Sequence, residues 1–264
     1  MIDPAMDNLV LVEMHGAIAV VTLNNQKTRN ALSRELLTVL AARLEELNDN
    51  AECRAIVING GNGHFCSGGD VSGMHLERPL PVGRMRMVLG HRVIRAVVCA
   101  NKPVITAVEG YAAGAGFSLA AASDYVVAAP TAKFTSSFAK VSLVPDLGLL
   151  WSLPRRIGLA QARRIFYTAR VVEAEEALSL GIIDDLVEDP TRLLERALEL
   201  AHEFTAHAPL SVALVRSALA RGIETLDDAL GYEMDNQAAL YMTKDHREAV
   251  NAFLEKRPPQ FRGV

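Results

Sequence analysis

The chain has 264 residues, about 1.8 times a domain length of ~150, which admits one large domain or two small ones. Half of the residues are hydrophobic and 22% are charged, enough apolar content for a substantial core, while a net charge of -4 argues against a protein that wraps nucleic acid. Glu109 and Asp124 interrupt the most apolar stretch, so no run reaches the ~20 residues of a membrane span.

In chain order, Ile18–Leu23 reads as a strand, and residues 33–48 follow as a helix with Leu36, Leu37, Leu40, Leu44 and Leu47 on one stripe. Residues 54–58 form the next strand, ended by Gly60-Gly61, which leads through Cys66-Ser67-Gly68-Gly69-Asp70 into a polar, Met-rich stretch from Met74 to Arg86. A helix over 82–100 precedes the strand Val104–Val108, and Gly110-Tyr111-Ala112-Ala113-Gly114-Ala115-Gly116 then turns into a small-residue helix over 117–122. Strands over 125–129 and 182–187 are separated by helices at 160–168 and 173–180, and from Pro190 onward the pattern is helical only. The organisation is an α/β core over 1–188 and a helical C-terminal region over 189–264.

Two glycine loops, 67–70 and 114–116, each follow a strand and lead toward a helix, where free N–H groups and the helix dipole receive an anionic oxygen. If they face one another, one N–H from each makes an oxyanion hole for an enolate or tetrahedral anion formed from a carbonyl or thioester. The alternative is that the glycines serve only tight turns and helix packing. Gly60-Gly61-Asn62-Gly63 lacks the Lys-Ser/Thr of a phosphate loop. Seven histidines show no HExxH pair, so no metal site is expected. Cys53, Cys66 and Cys99 form no CxxC pair, and the N-terminus, with Asp3 and Asp7, does not read as a signal peptide; both point to a reduced, cytoplasmic compartment.

Taken together, Asn30-Ala31-Leu32, Phe65-Cys66-Ser67-Gly68-Gly69-Asp70, residues 107–116 and Leu153-Pro154-Arg155-Arg156-Ile157-Gly158 occur in the order of the enoyl-CoA hydratase/isomerase (crotonase) family, which the chain resembles over about residues 9–261. The resemblance implies a crotonase-type spiral of ββα units with a C-terminal helical trimerisation region, assembled as a homotrimer or homohexamer. It implies an acyl-CoA thioester substrate, with coenzyme A as part of the substrate and no prosthetic group. The oxyanion donors would be the Gly69 and Ala115 N–H groups. Coenzyme A would be met by Lys27, Arg29, Ala31, Ser67, Gly68, Gly69, Asp70 and Gly114, with Lys256 reaching a neighbouring subunit's ligand. The proline usual in the family's Asn-x-Pro turn is missing at Asn24-Asn25-Gln26.

The family's hydratases carry two glutamates where this chain has Ser118 and Phe138, so the pair that adds water is missing. Asp146 instead stands where isomerase-type members, such as the phenylacetate-pathway enoyl-CoA isomerase, carry an acid. One carboxylate suffices to move a C=C bond from position 3 to 2, taking a proton from C2 and returning it at C4. Its apolar neighbours, Val144, Pro145, Leu147, Leu149, Leu150 and Trp151, are expected to raise its pKa by desolvation. A competing role is N-cap of a helix starting at Leu147. Asp70 is expected to brace its loop, and Glu109 and Asp124 to be structural. Hydration by the same enolate chemistry is the alternative activity, and a non-catalytic acyl-CoA binder a further one. From another class, Ser118, Asp184 and His202 follow the order of a hydrolase triad, but Ser118 lies about ten residues beyond Val108, too far for a nucleophile elbow.

Overall fold

The computed structural model describes residues 6–72, 75, 76 and 79–264. β1 (Val10–His15) and β2 (Ile18–Leu23) form an antiparallel hairpin, from Val10 opposite Leu23 to His15 opposite Ile18. α1 (Arg34–Asp49) starts at Ser33, whose hydroxyl accepts the Leu36 N–H, and it buries the leucine stripe read from the sequence. β3 (Ala55–Gly60), α2 (Leu80–Val98), β4 (Val104–Val108), β5 (Tyr111–Ala113), α3 (Ala115–Ala122), β6 (Tyr125–Ala128) and β7 (Lys133–Thr135) follow. α4 (Leu149–Thr168), β8 (Val171–Glu173), α5 (Ala174–Leu180) and β9 (Asp185–Leu186) complete the strand-bearing part. Four helices close the chain: α6 (Leu193–Thr205), α7 (Pro209–Arg221), α8 (Leu226–Tyr241) and α9 (Lys244–Glu255).

The larger sheet has six strands in the order β1-β2-β3-β4-β6-β9, parallel from β2 onward, and the smaller has three, β5-β7-β8. Both faces of the inner strands β2, β3, β4 and β6 are covered, which is why they read as largely unbroken apolar runs rather than alternating ones. Val21, Ile56, Ile58, Val108 and Val126 point into the main core. Ile18, Val20, Val57, Ile105 and Val127 point the other way, onto Leu193, Ala197, Leu200 and Ala201 of α6. α7 is tied to the core by Arg216, which pairs with Asp124 at 2.8 Å and donates to the Val97 and Ala100 carbonyls. Among the described residues no helix is long and apolar enough to cross a membrane.

Two expectations are corrected, and one feature had no expectation. The strand expected over 182–187 is only Asp185–Leu186, because after Gly181 (φ +81) the N–H groups of Ile182 and Ile183 turn back onto the Ala177 carbonyl and close α5. The helix expected over 160–168 is the second half of α4, which begins at Leu149 and bends at Gly158 (φ 75, ψ 158); Pro154 and Gly158 broke the helical pattern in the sequence. The smaller sheet was not foreseen, since its strands have three residues each and show no period.

Candidate active site

The two glycine loops meet. Cys66 is bridged to Ala112, with its N–H on the Tyr111 carbonyl at 2.9 Å and its carbonyl receiving the Ala113 N–H at 3.0 Å. The Leu32 N–H donates to the Gly68 carbonyl at 2.7 Å, holding the first loop from its other side. Gly68 has φ +107, and a Cβ there would lie 2.8 Å from the Ala113 oxygen and 3.9 Å from the Ala115 nitrogen, so only glycine permits this approach. Gly116 has the same role one turn on: its Cβ would stand 2.5 Å from the Cys66 oxygen. Gly69 follows the contact on one side, and Ala115 opens α3 on the other, where helix geometry leaves the N–H without an internal partner. Neither N–H has an acceptor among the described residues. The pair therefore offers two adjacent donors to an incoming oxygen.

Both positions at which the hydratases of the resembled family carry glutamates are neutral and buried. Ser118 is fully enclosed and donates to the Gly114 carbonyl at 3.2 Å; the Phe138 ring lies 3.8 Å from where a Cβ on Gly114 would be. The hydrolase triad does not assemble. Asp184 accepts the Val126 N–H at 2.8 Å and pairs with Arg156 at 2.9 Å, while His202 is exposed in the last turn of α6.

Asp146 stands just before α4 on a segment docked against α2. Leu147, with φ +47, is buried in the space left by Gly90, where a Cβ would come 2.3 Å from the leucine Cδ2. Gly148 (φ +76) lies over Ile94, whose Cγ2 would be 3.3 Å from a Cβ there. The left-handed conformation of a bulky leucine is a costly one, held by this docking. The Asp146 Oδ1 is buried with no hydrogen-bond partner among the described residues. Burial pushes the carboxyl up to about 6, against the opposing positive charges of Arg86 and His91. The capping role is corrected: α4 begins at Leu149, Gly148 is its N-cap, and Asp146 contributes only its main-chain oxygen, to the Leu149 N–H.

The residues expected to meet coenzyme A gather beside the first loop, with one exception. Lys27 and Arg29 are exposed on the turn around Gln26–Thr28, and the turn is pinned to the loop by the Ser67 hydroxyl on the Thr28 carbonyl (2.8 Å) and the Ser67 N–H on the Arg29 carbonyl (2.9 Å). Ala31 is buried with its N–H on Thr28. Asp70 braces its loop by accepting the Ser72 N–H at 2.9 Å, and Asp124 accepts the Val104 N–H besides pairing with Arg216. Lys256 ends α9 in the left-handed region and makes no hydrogen bond to these loops among the described residues. Met74, the start of the stretch expected to line an acyl pocket, lies outside the described residues. The cavity of about 810 Å³ between the start of β3 and helices α6 to α8 is lined by none of the loop residues.

Sequence reasoning gave no role to Asn30, whose buried amide accepts the Asn25 N–H and donates to the His64 and Phe65 carbonyls, fixing the first turn against the first loop. It also missed Arg86 of α2, whose Nη2 donates to the Asp70 carbonyl at 3.3 Å and lies 3.3 Å from where a Cβ on Gly69 would be. Neither pattern has a spacing signature, since each joins residues brought together only by the fold.

Comparison with known proteins places these features. Residues 13–264 match the family described as enoyl-CoA hydratase/isomerase. The short-chain-enoyl-CoA hydratase of Clostridium acetobutylicum is 34% identical over 252 residues, covering 95% of this chain and 96% of that protein. The 1,2-epoxyphenylacetyl-CoA isomerase of Escherichia coli is 33% identical over 262 residues, covering 98% and 100%. Among solved structures, the enoyl-CoA hydratase of Bacillus anthracis superposes with a TM-score of 0.92 at 29% identity, covering 97% of this chain and 100% of that one.

Proposed function

The chain belongs to the enoyl-CoA hydratase/isomerase family, and from that premise we propose that it shifts the C=C bond of an enoyl-CoA, with Asp146 as the proton carrier. Its fold is the crotonase fold, and hydratase/isomerase chemistry on an acyl-CoA thioester is what that family performs. The observation that carries the isomerase reading is the trade of carboxylates. Ser118 and Phe138 offer no acid or base, whereas Asp146 is a half-buried carboxyl, its Oδ1 enclosed, with a pKa raised to about 6. An acid of that strength both takes and returns a proton near neutral pH.

In the proposed reaction the substrate thioester oxygen is received by the Gly69 and Ala115 N–H groups. Asp146 removes a proton from C2 of the 3-enoyl-CoA; the C–H pair becomes the C1–C2 double bond of a dienolate, and negative charge collects on the oxygen held by the two donors. Return of the same proton to C4 moves the double bond into conjugation, so nothing is added or lost. Lys27 and Arg29 flank the entrance for the phosphates of coenzyme A, and Lys256 would serve a neighbouring copy. Exposed Leu219, Leu226, Met234, Met242, Phe253 and Leu254 on α7 to α9 or at their ends support a trimer or hexamer assembled through these helices.

Hydration is the second reading, favoured by the hydratase names among the relatives, including the crotonyl-CoA hydratase of Syntrophomonas wolfei at 32% identity. The deciding experiment follows the conjugated-thioester absorbance with a 3-enoyl-CoA and, separately, a 2-enoyl-CoA, for the wild type and Asp146→Asn. A rise from the 3-enoyl substrate that the variant loses supports the isomerase; a fall from the 2-enoyl substrate supports hydration. Binding without either change supports a protein that has kept the pocket and lost the chemistry.

A further inference from the structure

We infer that Arg86 is a positioning residue of this site: its guanidinium is anchored at the glycine loop through the Asp70 carbonyl, on the face of α2 that also seats the segment carrying Asp146, so that it couples the oxyanion loop to the proton carrier. The inference rests on the reading of Asp146 as that carrier.

Arg86 and Gly90 are four residues apart on α2, so they share one face of the helix. At Gly90 the missing Cβ makes the seat for Leu147, the residue that follows Asp146. One turn earlier, Arg86 meets the glycine loop through the Asp70 carbonyl. A single helical face thus holds a permanent positive charge at the glycine loop and seats the segment that carries Asp146.

Among the described residues the titratable surroundings of Asp146 are sparse. α3 carries none, and residues 141–154 carry none besides Asp146 itself. The Cys66 thiol of the glycine loop is pushed up to about 12 by burial and stays neutral. Asp70 turns its carboxylate to the Ser72 N–H while its carbonyl receives Arg86. From α2, Arg86 and the exposed His91 both favour the ionised form of Asp146 against its burial. His91 does so only when protonated, whereas Arg86 does so at every working pH.

The placement has a mechanistic consequence. When the proton leaves C2 for Asp146, negative charge passes from the carboxylate to the thioester oxygen at the Gly69 and Ala115 N–H groups. Arg86 is held at the glycine loop by the Asp70 carbonyl and its charge also favours the ionised Asp146, so its attraction is kept across the transfer rather than lost. Without it, Asp146 would hold its proton to higher pH and the dienolate would lose a nearby positive charge.

The test titrates Asp146 directly. Infrared difference spectra of wild type minus Asp146→Asn isolate its carboxyl C=O band, with no need for turnover, and the same subtraction is made in Arg86→Met, Arg86→Gln and Arg86→Lys backgrounds. The expected midpoint is near 6 in the wild type and about one pH unit higher in the two neutral variants, with Arg86→Lys close to the wild type. In parallel, kcat/KM on the 3-enoyl substrate should fall about five-fold further at pH 6 than at pH 8.5 in the neutral variants, the loss of ionised carboxylate that such a shift entails. An unmoved midpoint in both neutral variants overturns the inference, as does a lysine variant shifted as far as they are. A shifted midpoint in a protein inactive on 3-enoyl-CoA upholds Arg86 and refutes the isomerase reading instead.

Discussion

Replacing Asp146 with Asn should cost activity and change how stability depends on pH. A carboxyl whose folded pKa lies near 6 against an ordinary 3.8 binds its proton more tightly in the folded chain. Stability from that group is therefore fully present below about pH 4, declines as pH rises through the window, and is lost above about 6. The 2.2-unit difference (6 - 3.8) corresponds to about 3 kcal/mol in all, of which about 2 kcal/mol falls between pH 4.5 and 8. Asn cannot titrate. The stability difference, variant minus wild type, should consequently move in favour of the variant by about 2 kcal/mol across that range, whatever fixed offset the amide introduces. Thermal unfolding of both proteins at one concentration, in matched buffers at pH 4.5 and 8, reads this as a relative gain in Tm of about 2–4 °C per kcal/mol. The same variant should lose about 10²–10⁴-fold in isomerisation. A difference that is flat with pH, or that moves against the variant on going to pH 8, would refute the account of Asp146 as a carboxyl whose pKa is raised by burial.

Three further substitutions probe the frame around it. Gly68→Ala, at φ +107 and with a Cβ 2.8 Å from the Ala113 oxygen, should push the two loops apart, lower kcat by about 10² or more and cost about 1–3 kcal/mol, measured by steady-state kinetics and urea unfolding. Gly90→Ala places a methyl 2.3 Å from the Leu147 Cδ2; it should displace the Asp146 segment and reduce kcat more than it raises KM, at about 1–2 kcal/mol of stability. Ser118→Ala removes a buried hydroxyl bonded only to the Gly114 carbonyl, so activity should stay within about three-fold. A collapse of turnover in that last variant would reopen the serine-based chemistry.

What the sequence could and could not convey follows from where each signal is written. Ile18–Leu23 and Val104–Val108 appear in the structure with the limits read from the sequence, because strands buried on both faces leave a continuous apolar run that needs no partner to be recognised. β1 was missed because it lies at the edge of the sheet with four of its six residues exposed, and its mix of Leu, Val, Glu and Met has no period of two. The glycine loops were legible as candidates, but their apposition was not, since the contact of Gly68 with Ala113 joins residues 45 apart (113 - 68) through a backbone approach that no side-chain pattern encodes.

The acid–base group shows the same division. That Asp146 sits among apolar neighbours could be read locally, and the rise in its pKa followed from desolvation alone. The capping role failed on a conformational detail: left-handed Leu147 and Gly148 set α4 two residues later than the sequence suggested and free the side chain from the helix end. The roles of Arg86 and Gly90 were invisible because a helical pattern over 82–100 gives no sign that one of its faces is shared by two distant segments. In the proposed reaction the oxyanion donors are main-chain N–H groups and tolerate Ala115 in place of glycine, whereas the proton carrier needs a particular side chain at a particular depth. On the proposed reading, a crotonase fold that keeps the first and relocates the second changes its reaction without changing its frame, with Ser118, Phe138 and Asp146 as the positions concerned.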